Sequence, residues 1–146
     1  MPKSKIEKQN IFDLAKDALA KSIPFSSHFG LELIDATSDL IRIRMAFKET
    51  LTRANGSLHG GALMTLADIS GVVCASIHTT GHLAGTQQFS ISFLRPGSGT
   101  YIDAISKTVH NGRTSLVVQT SLENDAGKCI AVITQTQAVR QNQVTN

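Results

Sequence analysis

The sequence predicts an α+β fold in which a curved antiparallel sheet wraps around one long central helix, with a further helix at the N-terminus. Three observations carry the prediction. The stretch from Gly60 to about Thr79 is helical in length and apolar around its whole axis. Four segments of period-two alternation follow it, joined by turns too short for the crossovers that parallel strands need. Two more strands precede it.

The elements follow in order. From Gln9 to Lys21, residues Ile11, Phe12, Leu14, Ala15, Ala18 and Leu19 recur at helical spacing, and Pro24 ends the run. Leu31 to Phe47 reads as two strands, most clearly where Ile41, Ile43, Met45 and Phe47 alternate with Arg42, Arg44 and Lys48. Leu51 to Leu58 is a loop. In the central helix Ala62, Leu63, Met64, Leu66, Ala67, Ile69, Val72, Val73, Ala75 and Ile77 surround the axis instead of forming a stripe. Such a helix needs cover on every side. One curled sheet covers part of it, so the remaining side calls for a second chain.

The later strands are Thr86 to Leu94, Tyr101 to Val109, Thr114 to Glu123 and Lys128 to Arg140. A His-Asn-Gly-Arg turn joins the second and third of these. The expected organisation is an N-terminal helical extension over 1–23, one domain over 24–140 and a polar tail over 141–146.

At 146 residues the chain is long enough to bury one real core. Its formal charge of +3 is scattered, and with one Tyr, no Trp and no Lys/Arg stripe it gives little reason to expect a nucleic-acid partner. Cys74 and Cys129 show neither a disulfide framework nor zinc-ligand spacing. His28, His78, His82 and His110 have no ligand spacing with one another, so no metal and no cofactor are expected. The N-terminus lacks the apolar region of a signal peptide. The longest apolar stretch, Ala62 to Ile77, contains Asp68 and reads as too short for a bilayer. A cytoplasmic protein without a membrane partner is the expectation.

The chemistry concentrates between Asn55 and Asp68. His59-Gly60-Gly61 forms a glycine turn that opens the apolar helix, where backbone N–H groups lack intrahelical acceptors and can hold a developing oxyanion. Glycines that only start a helix are the plainer explanation of such a turn taken alone. Asp68 is the only charged residue between His59 and His78, a candidate base or nucleophile, unless neighbouring polar groups merely satisfy it. Asp68 lies seven residues beyond Gly61, about 10 Å along a helix axis. One carbonyl cannot easily be reached by both ends. Antiparallel pairing of two such helices could bring Asp68 of one chain opposite Gly61 of the other, which predicts two composite sites per dimer.

This arrangement, with its motif GxxHGGxxxxLxD from Gly56 to Asp68, resembles the hotdog fold and more narrowly the PaaI-type acyl-CoA thioesterases. The resemblance runs from Pro24 to Arg140. It implies homodimers with paired central helices, often assembled as tetramers, and hydrolysis of an acyl-CoA substrate to a free acid and CoA. By the same resemblance His59 shapes the turn, Thr86, ten residues before Pro96, assists the attacking water, and Arg95 and Arg113 meet the CoA phosphates and pantetheine. A guanidinium fork suits phosphate, although both arginines also sit at turns where solvated cations are ordinary.

One departure stands out. Some relatives carry an amide six residues before the His that contacts the substrate carbonyl or the water, where this chain has Arg53; either the nearest amide, Asn55, takes over that contact from a shifted loop, or the contact is absent. Without GxSxG, a Ser/His/Asp hydrolase is disfavoured. Two rival functions remain at this level: a hotdog dehydratase or hydratase acting on 3-hydroxyacyl thioesters, and a non-catalytic module that binds or senses acyl-CoA.

Overall fold

The computed structural model describes residues 2–22 and 24–141. Helix α1 spans Pro2–Ala20, and a short 3-10 turn at Phe25–Phe29 leads into β1 (Leu31–Ala36) and β2 (Ile41–Ala46). Helix α2 spans Gly60–His78 and is followed by β3 (His82–Phe93), β4 (Tyr101–Asn111), β5 (Ser115–Asn124) and β6 (Cys129–Arg140). The six strands form one antiparallel sheet in the order β1-β2-β4-β5-β6-β3. The predicted polar tail beyond Gln141 lies outside the described residues.

Alternation decides which face meets the helix. Ile41, Ile43 and Met45 of β2, Ile102 and Ala104 of β4, and Leu116, Val118 and Leu122 of β5 are fully buried against α2. Each of these side chains except that of Ala104 contributes about 1.5–3 kcal/mol by leaving water. On the opposite face Arg42 and Arg44 meet Asp103 of the neighbouring strand β4, with Arg44 Nε 2.7 Å and Nη2 2.9 Å from its two carboxylate oxygens. The Arg44 guanidinium also lies 3.6 Å from the centre of the Tyr101 ring. That pairing lets a charged residue sit in a buried strand position.

Helix α1 is longer than its apolar spacing predicts, starting at Pro2 instead of near Gln9. Ala15 is fully buried and Ile11, Phe12, Ala18 and Leu19 pack on the core, but Leu14 is 59% exposed and points away from it.

Helix α2 has 19 residues and is long and apolar enough by composition to cross a bilayer, so length alone does not exclude a span as the sequence suggested. Here it is the core helix. Leu63, Leu66, Ala67, Val73, Cys74 and Ala75 are buried under the sheet and α1. Gly61 and Met64 are exposed and Thr65, Asp68 and Val72 half-buried, which leaves one long stripe of the helix without cover from its own chain. Strand β3, largely exposed, forms the sheet edge beside this stripe and, among the described residues, pairs through β6 alone.

Candidate active site

His59 turns the extended loop into the helix. Its backbone is extended (φ −65°, ψ 139°), its carbonyl accepts the N–H groups of Ala62 and Leu63, and its own N–H donates to Leu51 O. Its side chain is the N-cap: Nδ1 accepts the Gly61 N–H at 2.8 Å. An accepting Nδ1 places the proton of the neutral ring on Nε2.

This corrects the expectation of two free glycine donors. The Gly61 N–H is taken by His59, whereas the Gly60 N–H has no acceptor among the described residues. Both glycines sit in tight quarters, Gly61 more than Gly60. A Cβ on Gly61 would lie 2.9 Å from His59 Nδ1, and one on Gly60 would lie 3.2 Å from the Phe93 ring.

Gly60 opens into a cleft of about 460 Å³ between the loop before the helix and the end of β3. Arg53, Leu63, Phe93, Arg95 and Pro96 also line it. Two guanidinium groups at a helix N-terminus make this end electropositive, which suits an anionic ligand. Arg95 is steadied by donating from Nη1 to Cys129 O at 2.7 Å. Arg53 Nε donates to Asn55 Oδ1 and Ser57 Oγ, both at 3.0 Å. Asn55 Oδ1 accepts the Ser57 N–H and hydroxyl as well. The Asn55 amide oxygen is thus engaged inside the loop by Arg53 and Ser57, which leaves its Nδ2 as the end without a partner among the described residues.

Asp68 lies two turns further on, in a second cleft of about 380 Å³ lined by Met64, Thr65, Thr86 and Phe89. Its Oδ1 accepts from Gln135 Nε2 at 2.8 Å and from Thr86 Oγ1 at 3.4 Å. Its Oδ2 has no hydrogen-bond partner among the described residues. Burial raises the carboxyl pKa above its ordinary value, against the opposing pull of the Thr86 and Gln135 bonds.

Thr86 does not start its strand, as the alternation suggested, but lies inside β3, which begins at His82. It pairs with Gln137 of β6, and the register slips between Thr86 and Gln88. Gln137 Nε2 donates to Thr86 Oγ1 at 2.9 Å. Gln135 and Gln137 were missed in the sequence. The signal was present: carried back from Val139, the alternation of β6 puts both amides on the inward face beside Ile133 and Ala131.

One chain therefore carries two separate groups of residues. His59, Gly60, Arg53 and Arg95 stand at the start of α2; Asp68 stands eight residues beyond Gly60, about 12 Å along the axis, with Thr86 of β3 beside it. Arg113 joins neither. It is exposed on the β4–β5 hairpin, where Asn111 Nδ2 donates to His78 O at the far end of α2.

The model of the Thioesterase superfamily matches residues 55–131, from the loop before the glycine turn into β6. The chain belongs to that superfamily. Its architecture, six antiparallel strands around a long helix, is the hotdog fold read from the sequence. As a thioesterase-superfamily member it is 26% identical to the acyl-coenzyme A thioesterase PaaI of Escherichia coli over 117 residues, covering 80% of this chain and 78% of that enzyme. A Saccharolobus solfataricus protein with a provisional esterase name is 31% identical over 86 residues, so the match spans 59% of this chain and 61% of that relative. The solved E. coli PaaI structure superposes with a TM-score of 0.78 at 21% identity, covering 92% of this chain and 99% of that one. The zebrafish Thioesterase Superfamily Member 2 gives 0.76 at 22%, covering 91% and 98%.

Proposed function

We propose that this thioesterase-superfamily chain hydrolyses an acyl-CoA thioester to a carboxylic acid and CoA at a site shared by two copies. The observation that carries the reading is the division of labour along α2. The first-turn donor of α2 that has no acceptor among the described residues, Gly60 N–H, and the unbonded oxygen of Asp68, Oδ2, are too far apart to act on one carbonyl within a chain. Antiparallel pairing of two α2 helices along their uncovered stripe brings Gly60 of one copy opposite Asp68 of the partner subunit. The electropositive cleft with Arg53 and Arg95 then receives the phosphate-bearing part of the substrate, while Arg113 contributes from the hairpin of the other copy. Residues 24–140 form the catalytic unit, extended by α1.

In the reaction, the Gly60 N–H and the α2 dipole stabilise the oxygen of the thioester carbonyl as it gains charge. The ionised Asp68 takes a proton from a water that adds to the carbonyl carbon, assisted by the Thr86 hydroxyl. The C–S bond breaks, and the thiolate leaves with the proton Asp68 held. Direct attack by Asp68, with water opening the resulting anhydride, needs the same ionised carboxylate and the same donor. The engagement of His59 Nδ1 as the helix cap counts against the hydratase alternative, which needs an imidazole free to move protons at the reacting carbons.

A free-thiol release screen over short, long and aryl acyl-CoAs, with crotonyl-CoA hydration assayed beside it, tests the reading. Thiol release with at least one class supports it and names the substrate. Hydration without hydrolysis, or tight acyl-CoA binding without turnover, overturns it.

A further inference from the structure

Gln135 and Gln137 are the two largest polar side chains in the fully buried interior, at 0% and 1% exposure. They sit on neighbouring inward positions of β6, where the strand otherwise presents Ala131, Ile133 and Val139 to the helix. A buried amide is costly unless both its ends are bonded. Gln135 is bonded at one end only. Its Nε2 donates to Asp68 Oδ1 at 2.8 Å, while its Oε1 is buried without a partner among the described residues. A residue kept in the core with one end unsatisfied is kept for the other end.

The helix is cut to fit it. Gly71, three residues beyond Asp68, is a glycine inside a helix, where it is less favourable than alanine. A Cβ there would lie 1.8 Å from Gln135 Oε1. The glycine leaves a slot through which the amide passes under the helix to reach the carboxylate. Gln137 takes the next inward position and donates to Thr86 Oγ1 at 2.9 Å, so the hydroxyl too is held from β6.

We propose that Gln135 is a positioning residue for the base, with Gly71 as the slot that admits it and Gln137 as the corresponding holder of Thr86. The amide ties down Oδ1 from behind the helix and so aims Oδ2 into the cleft, fixing the carboxylate rotamer at the distance hydrolysis requires. The inference rests on Asp68 being the base. Among the described residues of its own chain, the side chains that line the Asp68 cleft or bond to Asp68 are Met64 and Thr65 of α2, Thr86 and Phe89 of β3 and Gln135 of β6, none of them ionisable in the working range. The Gln135 bond therefore opposes burial in setting when Asp68 ionises.

The test combines kinetics with a direct titration of Asp68 by carboxyl-carbon NMR. Gln135→Met keeps the volume and removes the donor; Gln135→Asn keeps a buried amide one methylene too short. In both, kcat is expected to fall about tenfold with KM within about twofold of wild type. The Asp68 titration and the acid limb of kcat should move together to higher pH. An unmoved Asp68 titration in whichever variant folds overturns the proposal, whatever the turnover. Failure of the underlying reading is separate: wild-type turnover in Asp68→Asn removes Asp68 from the chemistry, whereas a dead Asp68→Asn beside an unmoved Gln135 variant sinks only the positioning role.

Discussion

His59 Nδ1 accepts the Gly61 N–H at 2.8 Å, and that single bond decides which glycine of the turn faces the cleft with a free donor. His59→Ala removes the cap and leaves Gly61 N–H to compete for the same anionic ligand. A stability loss of about 1 kcal/mol is expected, together with a lower kcat. His59→Asn restores a short acceptor at the N-cap and should recover the melting temperature. A variant with alanine here that melts and turns over like wild type would remove the capping role.

Gly60 gives a cleaner separation of donor from space. It is the first residue of α2 and the residue before it is extended, the one helical position where proline is well tolerated. Gly60→Pro deletes the N–H, and Gly60→Ala keeps it while adding a Cβ against Phe93. Both should fold, with a similar small disturbance at the Phe93 ring. Only the proline variant should lose the oxyanion donor, lowering kcat a further 10²–10³-fold or about 2.7–4 kcal/mol. Equal kcat in the two variants would mean that the Gly60 N–H holds nothing in the transition state.

Asp68 links activity to stability through one pKa. Burial raises it, so in the folded chain the acid binds its proton more tightly than in the unfolded chain. The stabilising contribution is complete below the unfolded carboxylate pKa and is lost as pH rises through the folded value. Activity runs the other way, because only the ionised form can act as base or nucleophile. Asp68→Asn is therefore expected to lose turnover by orders of magnitude yet melt at a higher temperature than wild type at pH 7. The difference in melting temperature should shrink towards about pH 3. Melting curves at the two pH values check the sign.

How much of this was legible in the sequence follows from which interactions are local. The α2 boundaries, the six strands and the inward phase of Ile41, Ile43 and Met45 were readable because hydrophobic period reports burial directly. The choice between Gly60 and Gly61 was not, since it depends on the rotamer of His59, which no spacing reveals. The engagement of Asn55 was hidden for a related reason: Arg53 and Ser57 take its oxygen within the loop. Gln135 contacts Asp68 across 67 positions of chain, and the bulge beside Thr86 sets where β6 meets β3. Such register is a property of the folded sheet.

A site shared between two copies, as proposed above, has a consequence that a site within one chain cannot imitate. If Gly60 of one copy serves with Asp68 of the partner subunit, a mixed dimer of Gly60→Pro and Asp68→Asn chains contains one site with both defects and one site with neither. Each variant alone is inactive. Unfolded together and refolded at equal amounts, half of the dimers are mixed and each has one sound site of two, so about a quarter of wild-type activity should return. Simple mixing without subunit exchange should return none. If both groups instead served a carbonyl within one chain, every site would carry one defect, and refolding together would restore nothing.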